Sequence, residues 1–259
     1  MSSAPTPHSA PTPYSARTPH FAPALHAEWL KIRTLPSLLG ALLALFAATT
    51  AFSALAGVSD TSDPEFDPLF FALSGVAPGQ IAAITFGAMA VSSEFHGGGL
   101  RLSLAAVPQR GRWFAAKLTA VAVPALAAGL VTALAALLVA KAGLGAAASG
   151  LTVGEQARGV VGCGVYLTLM ALFAAGLAAL LRSGVGALSL LIPFILVVSF
   201  VIGDVPGGLT DFMPDRAGQV VLYQSYDGPL GPWSGLGVTA LWTAAAVLAG
   251  AWSIRRRDA

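Results

Sequence analysis

Charge is scarce in this chain. Only 14 Lys and Arg and 12 Asp and Glu stand among 259 residues, 10% charged in all, where a soluble domain carries about 25%. A soluble protein so composed would have to show large apolar patches to water. The net charge of +2 is too small to argue for nucleic acid, and no basic stripe interleaved with aromatics appears. Cysteine is nearly absent: Cys163 stands alone, which excludes an internal disulfide and leaves it the reading of a small apolar helix residue. The four histidines, His8, His20, His26 and His96, lie outside the long apolar runs, and there is no HExxH or Cys/His metal set. The chain has no GxxxxGK[ST] phosphate loop, so it is not expected to hydrolyse ATP itself. "LSGVAPGQ" (Leu73–Gln80) resembles an ATPase signature only superficially, because it lies inside an apolar run. "ALSG" (Ala72–Gly75) lacks the membrane histidine that an intramembrane serine protease would use as base. No charged residue falls inside the apolar runs, which disfavours autonomous ion-coupled transport.

What is present is long uncharged windows. Residues 34–59 and 68–93 give 26 each, 118–140 and 159–181 give 23 each, 183–203 gives 21 and 228–254 gives 27. A helix needs roughly 20 apolar residues to cross a bilayer. A charged side chain at the bilayer centre costs about 2.5–3.5 kcal/mol on insertion scales, which explains why every charge sits between windows. Runs such as "LTAVAVPALAAGLVTALAALLVA" (Leu118–Ala140) lack the polar–apolar alternation of barrel strands. The expectation is an all-α integral membrane protein with six transmembrane helices, at about 37–57, 69–91, 118–140, 159–181, 184–203 and 233–253. With the N-terminus inside, the inner segments hold 11 of 14 basic residues, leaving Lys141, Arg158 and Arg216 outside. The positive-inside rule therefore places both termini in the cytoplasm.

The intervals divide the chain. Residues 1–22 repeat "SAPTPH", "SAPTPY", "SARTPH", and this Pro/Thr-rich tail is expected to be disordered. "PALHAEWLKIRTLPS" (Pro23–Ser37) predicts an interfacial amphipathic helix over 23–36. Its apolar side carries Leu25, Trp29, Ile32 and Leu35 or Pro36. Glu28 and Lys31 fall on the other side, with Trp29 at headgroup depth and Lys31 and Arg33 near anionic lipid. The six-helix domain covers 37–254, and a basic tail covers 255–259. The acidic stretch "VSDTSDPEFDP" (Val58–Pro68) matches no calcium loop and reads as solvated charge. The longest outer segment, 204–232, suggests a short re-entrant or surface helix around Pro214–Tyr223. Within the spans, Thr49, Thr50, Ser53, Gln80, Thr85 and Thr168 are polar. They are candidates for a translocation path, though helix–helix hydrogen bonding is the commoner role. Pro78, Pro124 and Pro193 are expected to kink their helices, and Gly159, Gly162, Gly164 and Gly176 to allow close packing.

The connection "SSEFHGGGLRLSLAAVPQRGRWFAAK" (Ser92–Lys117) is longer than the two to eight residues that a helix–helix link usually needs. "RSG" (Arg182–Gly184) turns the chain with three. The extra length predicts a surface for a soluble partner. Glu94 and Arg101 could pair with that partner or with each other, Leu100, Leu102 and Leu104 offer apolar contact, and Gly97–Gly99 permits a tight bend. Juxtamembrane basic residues serve topology equally well.

"AEWLKIRT" (Ala27–Thr34) resembles the lead-in of bacterial ABC-2-type permeases. The connection resembles that family's loop of the form SE(F/Y)-x-x-G-T-x-R-x-x-L-x-A-x-P-x-R-x-x-x-x-x-x-K, with Glu94, Gly98, Arg101, Leu104, Pro108, Arg110 and Lys117 on the pattern and Gly99 where threonine is common. The resemblance covers about residues 24–257. It implies the permease subunit of an exporter in the bacterial cytoplasmic membrane, paired with a second permease subunit as homo- or heterodimer. Two separate cytoplasmic ATPase subunits would bind ATP and Mg, this chain holding no cofactor. Glu94, Gly98, Arg101, Leu104, Pro108 and Arg110 would form the ATPase-coupling segment, with Glu28, Trp29, Lys31 and Arg33 on the neighbouring interfacial helix. The alternative is a non-transporting membrane anchor or regulatory subunit for a cytoplasmic partner. A membrane enzyme is weaker for want of catalytic groups.

Overall fold

The computed structural model describes residues 21–56, 66–95, 97–201 and 208–256. The repeat tail, most of the acidic segment after residue 57 and the start of the 204–232 segment lie outside them. Among the described residues every regular element is a helix. Ten α-helices follow in order: α1 Phe21–Thr34, α2 Pro36–Ala56, α3 Pro68–Leu73, α4 Val76–Ser92, α5 Gly99–Ala106, α6 Arg110–Leu144, α7 Val153–Leu181, α8 Gly184–Val201, α9 Pro214–Gln219 and α10 Pro232–Arg256. Five helical stretches, Pro36–Ala56, Pro68–Phe95, Arg110–Ala148, Val153–Leu181 and Pro232–Arg256, are long and apolar enough to cross a membrane. The chain is an all-α, multi-pass membrane protein on that ground. The sixth expected span, α8, has only Gly184–Val197 as its described apolar stretch and falls short in length.

Exposed apolar faces support the same reading. α2 buries one stripe, Leu38, Ala41, Leu45, Thr49 and Ser53, at spacings of three and four residues. Its opposite face exposes Leu39, Leu43, Phe46, Phe52 and Leu55. Leu241 and Leu248 on α10 are 72% and 69% exposed. A helix apolar all round with half its side chains uncovered fits a hydrocarbon solvent and not water.

α7 is the central helix, packed against α4, α6 and α10. Many of its buried residues are small, among them Gly159, Gly162, Cys163, Gly164, Ala171, Ala174, Ala175, Ala178 and Ala179, with Tyr166, Leu167, Met170 and Phe173 filling the space between. Without a hydrophobic force between helices in lipid, close van der Waals approach supplies the association, and small residues permit it. A Cβ on Gly176 would stand 2.7 Å from the Ala246 carbonyl carbon of α10, and one on Gly129 would stand 3.1 Å from Gly164 Cα. The expected packing glycines are therefore placed where helices meet.

Several boundaries differ from those read off the charge gaps. The second span is broken: α3 ends at Leu73, Ser74–Gly75 turns, and α4 begins at Val76. Gly75 is required there, because a Cβ would strike the Thr49 carbonyl of α2, while its N–H donates to Ser53 Oγ at 3.2 Å. Pro78 falls in the first turn of α4, where a missing N–H costs nothing, so the break precedes it. α6 begins at Arg110 and α10 runs to Arg256, so each extends into the charges that flank its apolar window. α1 ends at Thr34, with Leu35 outside any helix and Pro36 opening α2; it begins at Phe21, inside what composition assigned to the tail. A short helix does occupy part of Pro214–Tyr223. It is α9 followed by a 3-10 turn at Val220–Leu222.

Two ends of the bundle follow from the contacts. At the basal end, Arg110 Nη1 donates to the Ile254 carbonyl at 2.8 Å, joining the start of α6 to the end of α10. Gly184, opening α8, packs on Ser92 at the end of α4. At the opposite end, Arg158 Nη2 near the start of α7 donates to the Tyr223 carbonyl at 2.7 Å. Asp67 accepts from the N–H groups of Leu69 and Phe70 at 3.0 and 2.9 Å, capping α3, and from Gln224 N at 2.7 Å. The last acid of the expected solvated loop is thus a cap and a tether. α8 leads from Ser92 to Ile195 on the wall of a cavity shared with Gln219.

Candidate functional site at the basal end

Four ionisable groups from three elements meet at the basal end. α1 carries Glu28 and Lys31, the 3-10 turn Ser93–Phe95 after α4 carries Glu94, and α6 carries Lys117. Lys117 is ion-paired to Glu28 Oε2, and its Nζ lies 2.7 Å from Glu94 Oε1. Lys31 Nζ lies 2.7 Å from Glu94 Oε1 and 3.0 Å from Glu28 Oε1. Ser103 of α5 donates to Glu94 Oε2 at 2.7 Å. Glu28, Glu94 and Lys117 are buried, and Lys31 is half-buried. Two carboxylates and two ammoniums cancel, which is the condition under which charge can be held away from water. Burial by itself lowers the Lys31 pKa, but the hydrogen bond to Glu94 and the charge of Glu28 outweigh it, leaving the pKa raised. Trp113 sits one turn before Lys117, fully buried, with Lys117 Nζ 6.0 Å from its ring centroid.

The local sequence makes this arrangement possible. Gly97 and Gly98 take φ of +61° and +77°, left-handed values that glycine alone adopts freely. They reverse the chain after Glu94 and start α5 at Gly99. A Cβ on Gly99 would stand 3.2 Å from the Glu94 carbonyl oxygen, so the glycine in the place where the resembling family often has threonine suits this tight turn. α5 then packs by Leu100, which is buried, and Leu104, which is half-buried, and it presents Leu102 outward at 74% exposure beside exposed Arg101.

The structure redistributes the expected site residues. Glu28 and Lys31, expected on the polar side of α1, face the protein: Glu28 and Ile32 are the buried pair, while Trp29 is half-buried and Arg33 exposed. The helix docks on the bundle through a charged edge, because α6 offers Lys117 to meet it. Glu94 turns inward to Lys117, Lys31 and Ser103. Arg110 caps the end of α10 at the Ile254 and Arg255 carbonyls, 2.8 and 3.4 Å away. Pro108 is exposed in the link to α6. Ser103 and Trp113 were not foreseen. Their signal lay in the spacing: Trp113 and Lys117 are four apart on one helical face, and Ser103 stands one turn from the glycine bend.

The polar span residues are not gathered into one path. Thr49 and Ser53 are buried between α2 and α4. Thr85 donates to the Ile81 carbonyl of its own helix at 2.7 Å. Gln80 accepts a hydrogen bond from the Tyr166 hydroxyl.

No protein-family model matches the chain, and no curated protein is found to match it. Among the described residues no group of three or more His, Cys, Asp or Glu could hold a metal.

Proposed function

We propose that this chain is the transmembrane permease subunit of an ATP-driven exporter of the ABC-2 type. It would lie in the bacterial cytoplasmic membrane with six crossings and both ends inside, and it would work with a second permease subunit and separate cytoplasmic ATPases. The observation that supports this reading is the buried ion cluster. α5 is a short helix with an outward leucine, and Ser103 and the Glu94 turn fasten it to Lys117 of α6 and to α1. A push on α5 would therefore be passed into two long elements and not absorbed in a loose loop. Breaking a buried charge pair by removing one partner costs about 3–5 kcal/mol, so the elements that the cluster joins are costly to separate. α8, with 18 residues, measures about 27 Å along its axis, close to the roughly 30 Å of a hydrocarbon core, and in this reading it is the sixth crossing.

The test is coexpression with a candidate cytoplasmic ABC ATPase from the same genome, reconstitution in liposomes, and measurement of ATP turnover. Leu102→Asp should abolish copurification and stimulation of the ATPase, because it places a charge in the docking face while leaving the cluster intact. An ATPase stimulated equally by Leu102→Asp and by the unaltered chain would refute the docking face. An ATPase that binds at Leu102 without any stimulated turnover would favour a non-transporting anchor.

A further inference from the structure

The far end of the bundle holds a cavity of about 480 Å³. Its apolar side is formed by Ile81 of α4 and Ile195 and Leu196 of α8, and its polar side by Asp215, Arg216 and Gln219 of α9. Phe70 and Tyr223 close it with stacked rings, centroids 4.3 Å apart and planes at 15°, and Tyr226 stands 5.4 Å beyond Tyr223. Asp215 is 1% exposed, and neither carboxylate oxygen has a hydrogen-bond partner among the described residues. A buried carboxylate is costly to retain, and its place in the first turn of α9 next to Arg216 meets only part of that cost. The surrounding polar groups supply little: Tyr166 gives its hydrogen to Gln80, and Gln219 Nε2 donates to the Tyr166 oxygen at 3.3 Å. Burial pushes the Asp215 pKa up. The N–H groups of Asp215 and Arg216 and the Arg216 guanidinium offset this only in part.

We propose that this cavity binds an organic primary ammonium carried on an apolar body, with the N–H donors on Asp215, the cation against the Tyr223–Tyr226 rings and the apolar part along Ile81, Ile195 and Leu196. An ammonium brings the hydrogen bonds that Asp215 lacks and an opposite charge in a desolvated setting. Aromatic faces attract the same cation. The volume suits a small amphiphile, since ligand cavities run from about 300 to 1,000 Å³. The site stands independently of any ATPase, because its residues lie at the end of the bundle away from α5.

Dansylcadaverine, a fluorescent primary amine with an apolar ring system, tests this on the full chain in nanodiscs of zwitterionic lipid. Saturable fluorescence enhancement is expected from the unaltered protein. Asp215→Asn, which keeps shape and removes charge, should weaken it about tenfold or more, as loss of a buried charge partner does. Ile195→Trp, which fills the cavity and leaves Asp215 in place, should abolish it. The N-acetylated, uncharged analogue should bind no better to the unaltered chain than to Asp215→Asn. Equal amine binding by the unaltered chain and Asp215→Asn would overturn the proposal. So would saturable binding of dansyl glycine, an anion, in preference to the amine, because Arg216 and not Asp215 would then select the ligand.

Discussion

Replacing Lys117 by methionine would leave two carboxylates, Glu28 and Glu94, with only the half-buried Lys31 between them. The expected cost is about 3–5 kcal/mol, read as a lower thermal midpoint in detergent. Pairing Lys117→Met with Glu28→Gln should recover a large part of that loss, because the two positions share one network. Full additivity of the two changes would mean that the pair does not interact. Asp215 carries a pH prediction of opposite character. Its carboxyl holds a proton more firmly folded than unfolded, so the folded state binds the extra proton and stability falls as pH rises from the ordinary carboxylate range through the raised value. Asp215→Asn should flatten that fall and be at least as stable as the unaltered chain at neutral pH; a variant clearly less stable there would contradict the burial argument. Neither Glu28 nor Asp215 was legible as a buried acid. Composition and spacing put charge in the intervals between apolar windows correctly, but which side of α1 faces protein depends on where α6 places Lys117, and that is a tertiary fact.

At the level of elements, packing rests on small residues. Gly176→Val should destabilise by about 1–3 kcal/mol or more, since its Cβ would meet the backbone of α10 at 2.7 Å. The expected reading is a lowered midpoint with unchanged helix content, and an unchanged midpoint would show that α7 and α10 can separate without loss. Leu102→Asp, on the exposed face of α5, should shift stability by no more than about 0.5 kcal/mol. The positions of the five long apolar helices were legible from the charge gaps, because desolvating a charge is costly and keeps it out of such stretches. Helix ends were not. α6 starts at Arg110 and α10 reaches Arg256 because a helix continues as long as its backbone bonds are satisfied, its charges there being either exposed, as at Arg112, Arg255 and Arg256, or paired, as at Lys117. The break between α3 and α4 was hidden for a different reason. Ser74 and Gly75 are as uncharged as their neighbours, and only the approach of the Thr49 carbonyl makes the glycine necessary.

For the molecule as a whole, the account joins an apolar helical bundle, a basal end that binds α1 and α5 to α6 through buried charge, and a cavity at the far end. The all-α membrane class could be read from sequence, while the contacts that tie α1 and α5 to α6 arise only in the tertiary packing. The central claim is that α5 lies on the ATP-containing side. Cys163 is the one native cysteine and is buried, so Cys163→Ala gives a cysteine-free background in which Leu102→Cys adds a single exposed thiol. Labelling that thiol with a membrane-impermeant maleimide should succeed in inverted membrane vesicles and fail in intact cells. Labelling in intact cells, with none in inverted vesicles, would contradict the account.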